Sequence, residues 1–272
     1  MALTARLYRG RDLVDGELHP LGIGMAAVYT ARRPEDDAVN EDACAIIPFD
    51  ERSGVLVVAD GAGGLPSGEK ASEIAIDTLR STLAAANARG DKLRTAILDG
   101  IEHANTKVQA LGVGAATTIA IAEVQDKKIR PYHVGDSQIM VIGQRGKIKL
   151  FTKSHSPVGY GVEAGLIHEQ EALLHEERHL VSNLVGMATM HIEIGPMIEL
   201  TAKDTLLIAS DGLFDNLLAD EITEICRKGQ LLALSHALAE SCHRRMATTA
   251  DGMPSKPDDL TFVAFRRRVT SV

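Results

Sequence analysis

Five short acidic motifs hold most of the chemistry open to this sequence. They are Asn40-Glu41-Asp42, Asp60-Gly61-Ala62-Gly63-Gly64, Gly135-Asp136-Ser137, Ser210-Asp211-Gly212-Leu213-Phe214-Asp215 and Asp258-Asp259. Most lie where an apolar run ends or begins. VLVVAD, LLIASD and DDLTFVAF each set a carboxylate directly beside residues that belong in a sheet. A single Asp-Gly after a strand is an ordinary turn. A lone buried carboxylate would take up a proton rather than stay charged. Several carboxylates converging on one point require a cation instead. A hard, all-oxygen donor set without Cys or His favours Mg²⁺ or Mn²⁺ over Zn²⁺.

Period-2 patterns and short apolar runs predict strands near 22–29, 43–48, 54–59, 115–123, 128–134, 138–142, 147–151, 191–199, 205–209 and 260–266. Several are joined by short polar turns, such as QRGK at 144–147, which favours antiparallel pairing. Two helices, 67–88 and 91–111, flank Gly90 and should form an antiparallel hairpin. The first turns Ala71, Ile74, Ala75, Thr78 and Leu79 to one face, the second Leu93, Ile97, Ile101, Ala104 and Val108. A second pair, about 219–227 and 229–247, is split by Gly229. The order strands, helix pair, strands, helix pair, strand is not a βαβα alternation. It predicts an α+β chain with antiparallel sheets and helices packed outside them. The stretch 153–190 has weak periodicity and reads as a long excursion with a short helix near 168–175. Excursions of this length are often lids.

Composition narrows the options further. The 272 residues carry 29 Lys and Arg against 37 Asp and Glu, a formal charge of −8, which argues against a general nucleic-acid binder. With 45% hydrophobic residues the chain can bury a core. With only 3% aromatics and no Trp, that core must be aliphatic. No apolar run is long enough for a membrane span, and the charged N-terminal stretch does not read as a signal peptide. Cys44, Cys226 and Cys242 are widely spaced and odd in number, which fits a reducing cytoplasm.

NEDA (40–43), VVADGAGG with GEKAS (57–72), GAATT (114–118), HVGDSQ (133–138), LLIASDGLFDNL (206–217) and DDLTFV (258–263) occur in this order. Taken together the set resembles the metal-dependent serine/threonine protein phosphatases of the protein phosphatase 2C type, over roughly residues 22 to 268. The resemblance implies two antiparallel sheets packed face to face with helix pairs on the outer faces, a four-layer αββα sandwich. It implies one phosphatase-like domain, residues 1–272, with a flap at about 153–190. Asp60 matches the carboxylate bridging two catalytic ions, and the carbonyl of Gly61 matches a further ligand. Glu41 and Asp42 match the acidic pair after the opening strand. Asp211 and Asp258 match later metal carboxylates, and Asp136 and Asp215, with Asp211, a third and weaker site. The expected cofactors are two Mn²⁺ or Mg²⁺ ions. A water between two ions about 4 Å apart loses its proton near neutral pH and attacks phosphorus in line. The expected substrates are phosphorylated proteins, targets of a cognate Ser/Thr kinase. A monomer that binds neither nucleic acid nor membrane is the expected form.

The sequence departs from the family pattern at four points. The usual phosphate-clamping Arg is replaced by Asp37, so the resemblance passes the clamp, a catalytic role, to Arg33 or secondarily Arg32, reaching back over the insert 34–39. Ala62 replaces a His that some members carry as proton donor, and Asp259 stands where Asn is usual. Ser154 replaces an Asp before His155, whose expected role is structural or flap-related. The Asp37 replacement also leaves open a non-catalytic module that binds a phosphoprotein or regulates a partner. A third reading is a zinc hydrolase, from His175-Glu176-Glu177-Arg178-His179 with Glu199 downstream. That motif works only on a helix. Gly63 to Lys70 misses the phosphate-loop spacing.

Overall fold

The computed structural model describes residues 4–34, 39–248 and 253–268. One antiparallel sheet runs β1 (Arg6–Arg9), β4 (Asp42–Pro48), β5 (Ser53–Asp60), β6 (Ile119–Gln125), β7 (Lys128–Val134) and β10 (Glu193–Ile194), with β11 (Ile198–Glu199) also on β7. The other runs β2 (Glu17–Leu21), β3 (Gly24–Ala31), β13 (Leu260–Arg267), β12 (Thr205–Ala209), β8 (Gln138–Ile142) and β9 (Ile148–Phe151).

Side-chain alternation along the central strands explains the layering. On β4, Cys44 and Ile46 join Leu56, Val58, Ile139, Val141, Leu206, Ile208, Val263 and Phe265 in a core between the sheets. Ala43, Ala45 and Ile47 point the other way. They pack under the hairpin of α1 (Gly68–Arg89) and α2 (Leu93–Gln109). On the second sheet Met140, Ile142, Leu207 and Phe262 face α6 (Ala219–Cys226) and α7 (Leu231–Ala247). Central strands are therefore buried on both faces, which is why they read as continuous apolar runs rather than alternating ones. Gly90, at φ 77°, ends α1 in the left-handed conformation expected of a helix stop.

The expected α+β class, antiparallel pairing and both helix pairs are present. All five inward positions predicted for α2 are buried, and in α1 Ile74 is only partly so. The hairpin turn at 144–147 joins β8 to β9, with Gly146 at φ 81°. Three expectations need correction. Residues 191–199 are two short strands rather than one, because Gly195-Pro196 interrupts the ladder and Gly195 N–H bonds Pro131 O at 3.0 Å. Residues 115–118 precede β6 and carry only two isolated bridges, Thr117 pairing with Gly61 and with Val185. The excursion contains α3 (Pro157–Glu163) besides the short α4 (Glu169–Ala172). The edge strands β1 and β2 and the one-turn α5 (Asp211–Phe214) have no counterpart among the predicted elements.

Candidate metal centre

The acidic motifs meet at one end of the sandwich because each terminates a strand there. Asp42 opens β4 and Asp60 closes β5, and the two are direct cross-strand partners. Asp136 follows β7, Asp211 begins α5 after β12, and Asp258 precedes β13. Their carboxylates feel one another. Asp60 is pushed well up by burial and by Asp42, Asp211, Asp258 and Asp136. Burial, then Asp211 and Asp215, raises Asp136 to about 8. Burial and Asp211 raise Asp215 to about 7 and Asp258 to about 6. Glu41 is also raised, by burial and then by Asp259 and Glu69. A buried set of carboxylates that destabilise one another in this way is a donor set for hard cations. Asp215 Oδ2 is buried, and a cation, the Lys256 ammonium, lies 3.3 Å from it.

The backbone around these carboxylates is held by side chains. Thr118 Oγ1 accepts from Asp60 N–H at 3.0 Å, and Thr117 Oγ1 donates to Asp60 O at 2.7 Å. Ser210 Oγ donates to Asp42 Oδ2 at 2.8 Å, so Asp42, only 2% exposed, stands behind Asp60. Asn40, itself buried, accepts from Asp42 N–H and donates to Thr30 Oγ1 and Arg11 O, fixing the start of β4. Gly61 must be glycine for steric reasons. A Cβ there would stand 2.4 Å from the Gly68 backbone at the head of α1, leaving the Gly61 carbonyl no side chain beside it. Gly212 is tighter still, with 1.9 Å from a Cβ to Asp259 O. That close approach seats α5, and with it Asp211 and Asp215, against the chain entering β13.

Asp259 acts through the backbone. Its Oδ1 accepts from Arg33 N–H at 2.8 Å and its Oδ2 from Glu41 N–H at 2.7 Å. It thereby ties the end of β3 to the acidic pair. Burial raises the pKa of both Glu41 and Asp259, and the Arg33 charge offsets part of that rise, so it lies near this edge of the cluster. Asp37, and with it most of the insert 34–39, lies outside the described residues. Arg32 is turned away, to Asp12 at 3.0 Å.

One residue of the site carries no signal in the sequence. Lys256 Nζ bonds Asp211 and lies 2.9 Å from Asp258 and 3.3 Å from Asp215. Burial works against this ammonium, but Asp211, Asp215 and Asp258 outweigh it and hold it above the ordinary lysine range. Sequence spacing gave no reason to single out a lysine between Ser255 and Pro257.

The excursion borders the cluster. Between α3, α4 and α5 lies a cavity of about 520 Å³, lined among others by Asp136, Phe151, Val162, Arg178, Asp211 and Asp215. His155 anchors the excursion. Its Nδ1 faces Gly135 N–H and Asn183, its Nε2 faces Glu193 at 3.1 Å, and its ring stacks on His133. Both ring nitrogens are engaged, in keeping with a structural part. His175 to His179 lie in turns beyond α4, where the helical spacing that a zinc pair requires is absent. His175 Nδ1 accepts from Glu177 N–H, and Glu199 lies in β11 opposite Lys128.

Comparison with known proteins agrees with this geometry. A family profile described as Protein phosphatase 2C matches residues 31–249. A putative protein phosphatase 2C-type protein of Streptococcus pyogenes is 33% identical over 187 residues, 65% of this chain and 75% of its own length. The structure of the serine/threonine phosphatase Stp1 from Staphylococcus aureus superposes with a TM-score of 0.78 at 26% identity, covering 93% of this chain and 99% of that one. The catalytic domain of the serine/threonine phosphatase PstP, in complex with two manganese ions, gives 0.68 at 25% identity, over 89% and 96%. The chain belongs to the protein phosphatase 2C family.

Proposed function

We propose that the chain is a metal-dependent protein phosphatase that removes phosphate from phosphoserine and phosphothreonine. The observation that carries this reading is the convergence of Asp60, Asp136, Asp211, Asp215 and Asp258, from four separate segments, into one cluster in which burial and neighbouring carboxylates raise the pKa values of Asp60, Asp136, Asp215 and Asp258. Two Mn²⁺ or Mg²⁺ ions fit these donors. Asp60, Asp211, Asp258, Glu41 and the Gly61 carbonyl are the groups that would hold them. Asp42 supports Asp60 from behind. Bound ions would supply an acidified water and screen the phosphate charge. The PstP structure with two manganese ions supports that number.

The protein's own groups do the remaining work. The Arg33 backbone is fixed on Asp259, which presents its side chain at the cluster edge. There a guanidinium can pair with a phosphate dianion in two-pronged fashion. The cavity beside Asp136 and Asp215 offers Phe151 and Val162 to the residues flanking a phosphoamino acid, and α3 and α4 form its flap side. The substrates are phosphoproteins, and targets of a cognate Ser/Thr kinase are the class we infer. We infer a monomer working in the cytoplasm, where three free, buried cysteines would stay reduced.

The test is phosphate release from a phosphothreonine peptide during titration with Mn²⁺ and, separately, Mg²⁺. Saturable, metal-dependent release is expected, with none in EDTA. Release unaffected by EDTA, or none at any metal concentration, would overturn the reading.

A further inference from the structure

We propose that the Lys256 ammonium is a tethered placeholder: in the metal-free protein it holds the Asp211 and Asp258 carboxylates, and a divalent ion must displace it to bind there. This rests on the metal-centre reading above and says what loading that centre requires. The ammonium and the ion compete for the same groups. Lys256 Nζ bonds Asp211 and lies 2.9 Å from Asp258. Both carboxylates belong to the set that would hold the two ions. A divalent ion sits about 2.0–2.6 Å from a carboxylate oxygen. On these carboxylates it would stand within a few ångströms of the ammonium. In a site this buried, two cations at that separation repel strongly, so one occupant excludes the other.

The lysine can leave without disturbing the fold, because its backbone is held independently of its charge. Asn216, fully buried, accepts from Lys256 N–H at 2.8 Å and donates to Lys256 O at 2.8 Å. The same amide donates to Gly212 O at 2.9 Å, inside the turn that carries Asp211. Ser255 Oγ donates to Arg245 O in α7, which fixes the preceding residue as well. The Lys256 side chain is 22% exposed. Its four-carbon stem can therefore swing toward solvent by side-chain torsions alone, while the backbone stays on Asn216.

The placeholder also meets a need of the metal-free chain. Carboxylates packed this closely repel one another, and the ammonium touches three of them, Asp215 at 3.3 Å being the third. An ammonium has three N–H donors and no acceptor, so it matches an all-carboxylate surrounding. The same contacts thus act in two directions. They steady the protein without metal, and they oppose the entry of metal.

The two directions are the test. Lys256→Met keeps most of the stem and removes the charge. In EDTA at pH 8 it should melt below the wild type. In isothermal titration calorimetry at the same pH it should bind Mn²⁺ at least about tenfold more tightly, because the ion no longer has to expel a cation. Circular dichroism checks its fold, and Lys256→Gln serves if the methionine variant does not fold. Displacement itself is read on the wild type. Acetylation of Lys256 by an N-hydroxysuccinimide ester, quantified by peptide mass spectrometry, should be several-fold faster in saturating Mn²⁺ than in EDTA, since an amine released from its carboxylates is open to reagent and gives up its proton more readily. A lower metal-free melting temperature, tighter Mn²⁺ binding by the uncharged variant and faster labelling of the loaded wild type support the proposal. Mn²⁺ affinity equal to or weaker than wild type, a metal-free melting temperature at or above it, or labelling that Mn²⁺ does not change overturns it. If wild type and variant both bind no Mn²⁺, the metal-centre reading itself fails, so the two failures are distinguishable.

Discussion

Neutralising Asp258 should stabilise the metal-free protein and disable the loaded one. The carboxyl is raised from an ordinary 3.8 to about 6, first by burial and then by Asp211. With the folded value above the unfolded one, the proton is retained longer in the folded chain. Below about pH 4 the group is neutral in both states and has no effect. Stability is lost as pH rises from there through about 6, and the loss is complete above it. Two pKa units correspond to about 3 kcal/mol at pH 8. Asp258→Asn removes that penalty. It keeps Oδ1 as acceptor for Asp259 N–H, but turns an N–H toward Lys256, so 3 kcal/mol is a ceiling. For a chain of this size the gain is about 6–12 °C in melting temperature at pH 8, and about half that at pH 5. The assay is thermal unfolding in EDTA at both pH values, repeated in saturating Mn²⁺. There the variant's advantage should shrink to near zero, because ligand at a hundred times its Kd stabilises the wild type by about 2.7 kcal/mol, close to that ceiling, and the variant lacks a carboxylate proposed to hold metal. An Asp258→Asn protein that melts at or below the wild type in EDTA at pH 8 would refute the electrostatic argument.

Three more outcomes are expected. The melting temperature of the metal-free wild type should fall steadily from pH 5 to pH 9, as Asp258, Asp215 and Asp136 ionise through about 6, 7 and 8. A flat or rising profile would contradict the raised values. Gly212→Ala sets a Cβ 1.9 Å from a backbone oxygen that has no side-chain freedom to yield, and should destabilise by about 2–3 kcal/mol in chemical denaturation and weaken Mn²⁺ binding; an unchanged denaturation midpoint would show that the α5 contact is looser than described. Arg33→Ala should raise KM for a phosphopeptide several-fold with Mn²⁺ affinity unchanged, and Arg33→Lys should recover only part of the loss; identical KM values in all three proteins would remove Arg33 as the phosphate clamp.

The carboxylates were legible in the sequence because each sits at the end of a strand that is buried on both faces. VLVVAD and LLIASD announce both the strand and the carboxylate at its tip. Both helix pairs were legible for a similar reason, since α1, α2 and α7 repeat their inward faces with helical period over four turns or more and a glycine separates each pair. The edge strands β1 and β2 were not, because RLYR and ELHPL are short and half exposed and their pairing comes only from contact with β4 and β3. α5 is a single turn, too short to show a period. Lys256 was invisible for a different reason. Its role depends on Asn216 holding its backbone and on three carboxylates from elsewhere, and a lysine between Ser255 and Pro257 looks like any surface charge. The backbone role of Asp259 was hidden likewise, since its two partners, Arg33 and Glu41, are more than two hundred residues away.

The central claim is that Asp60 holds together a cation site that hydrolyses phosphoprotein monoesters. Its most direct test is the rate of phosphate release from a phosphothreonine peptide at saturating Mn²⁺, measured for wild type and Asp60→Asn with matched circular dichroism spectra. The account predicts metal-dependent turnover in the wild type and a loss of at least about a hundredfold in the variant, since a clamp of two ions does not survive removal of the charge they share. Turnover by Asp60→Asn within a few-fold of wild type would contradict it.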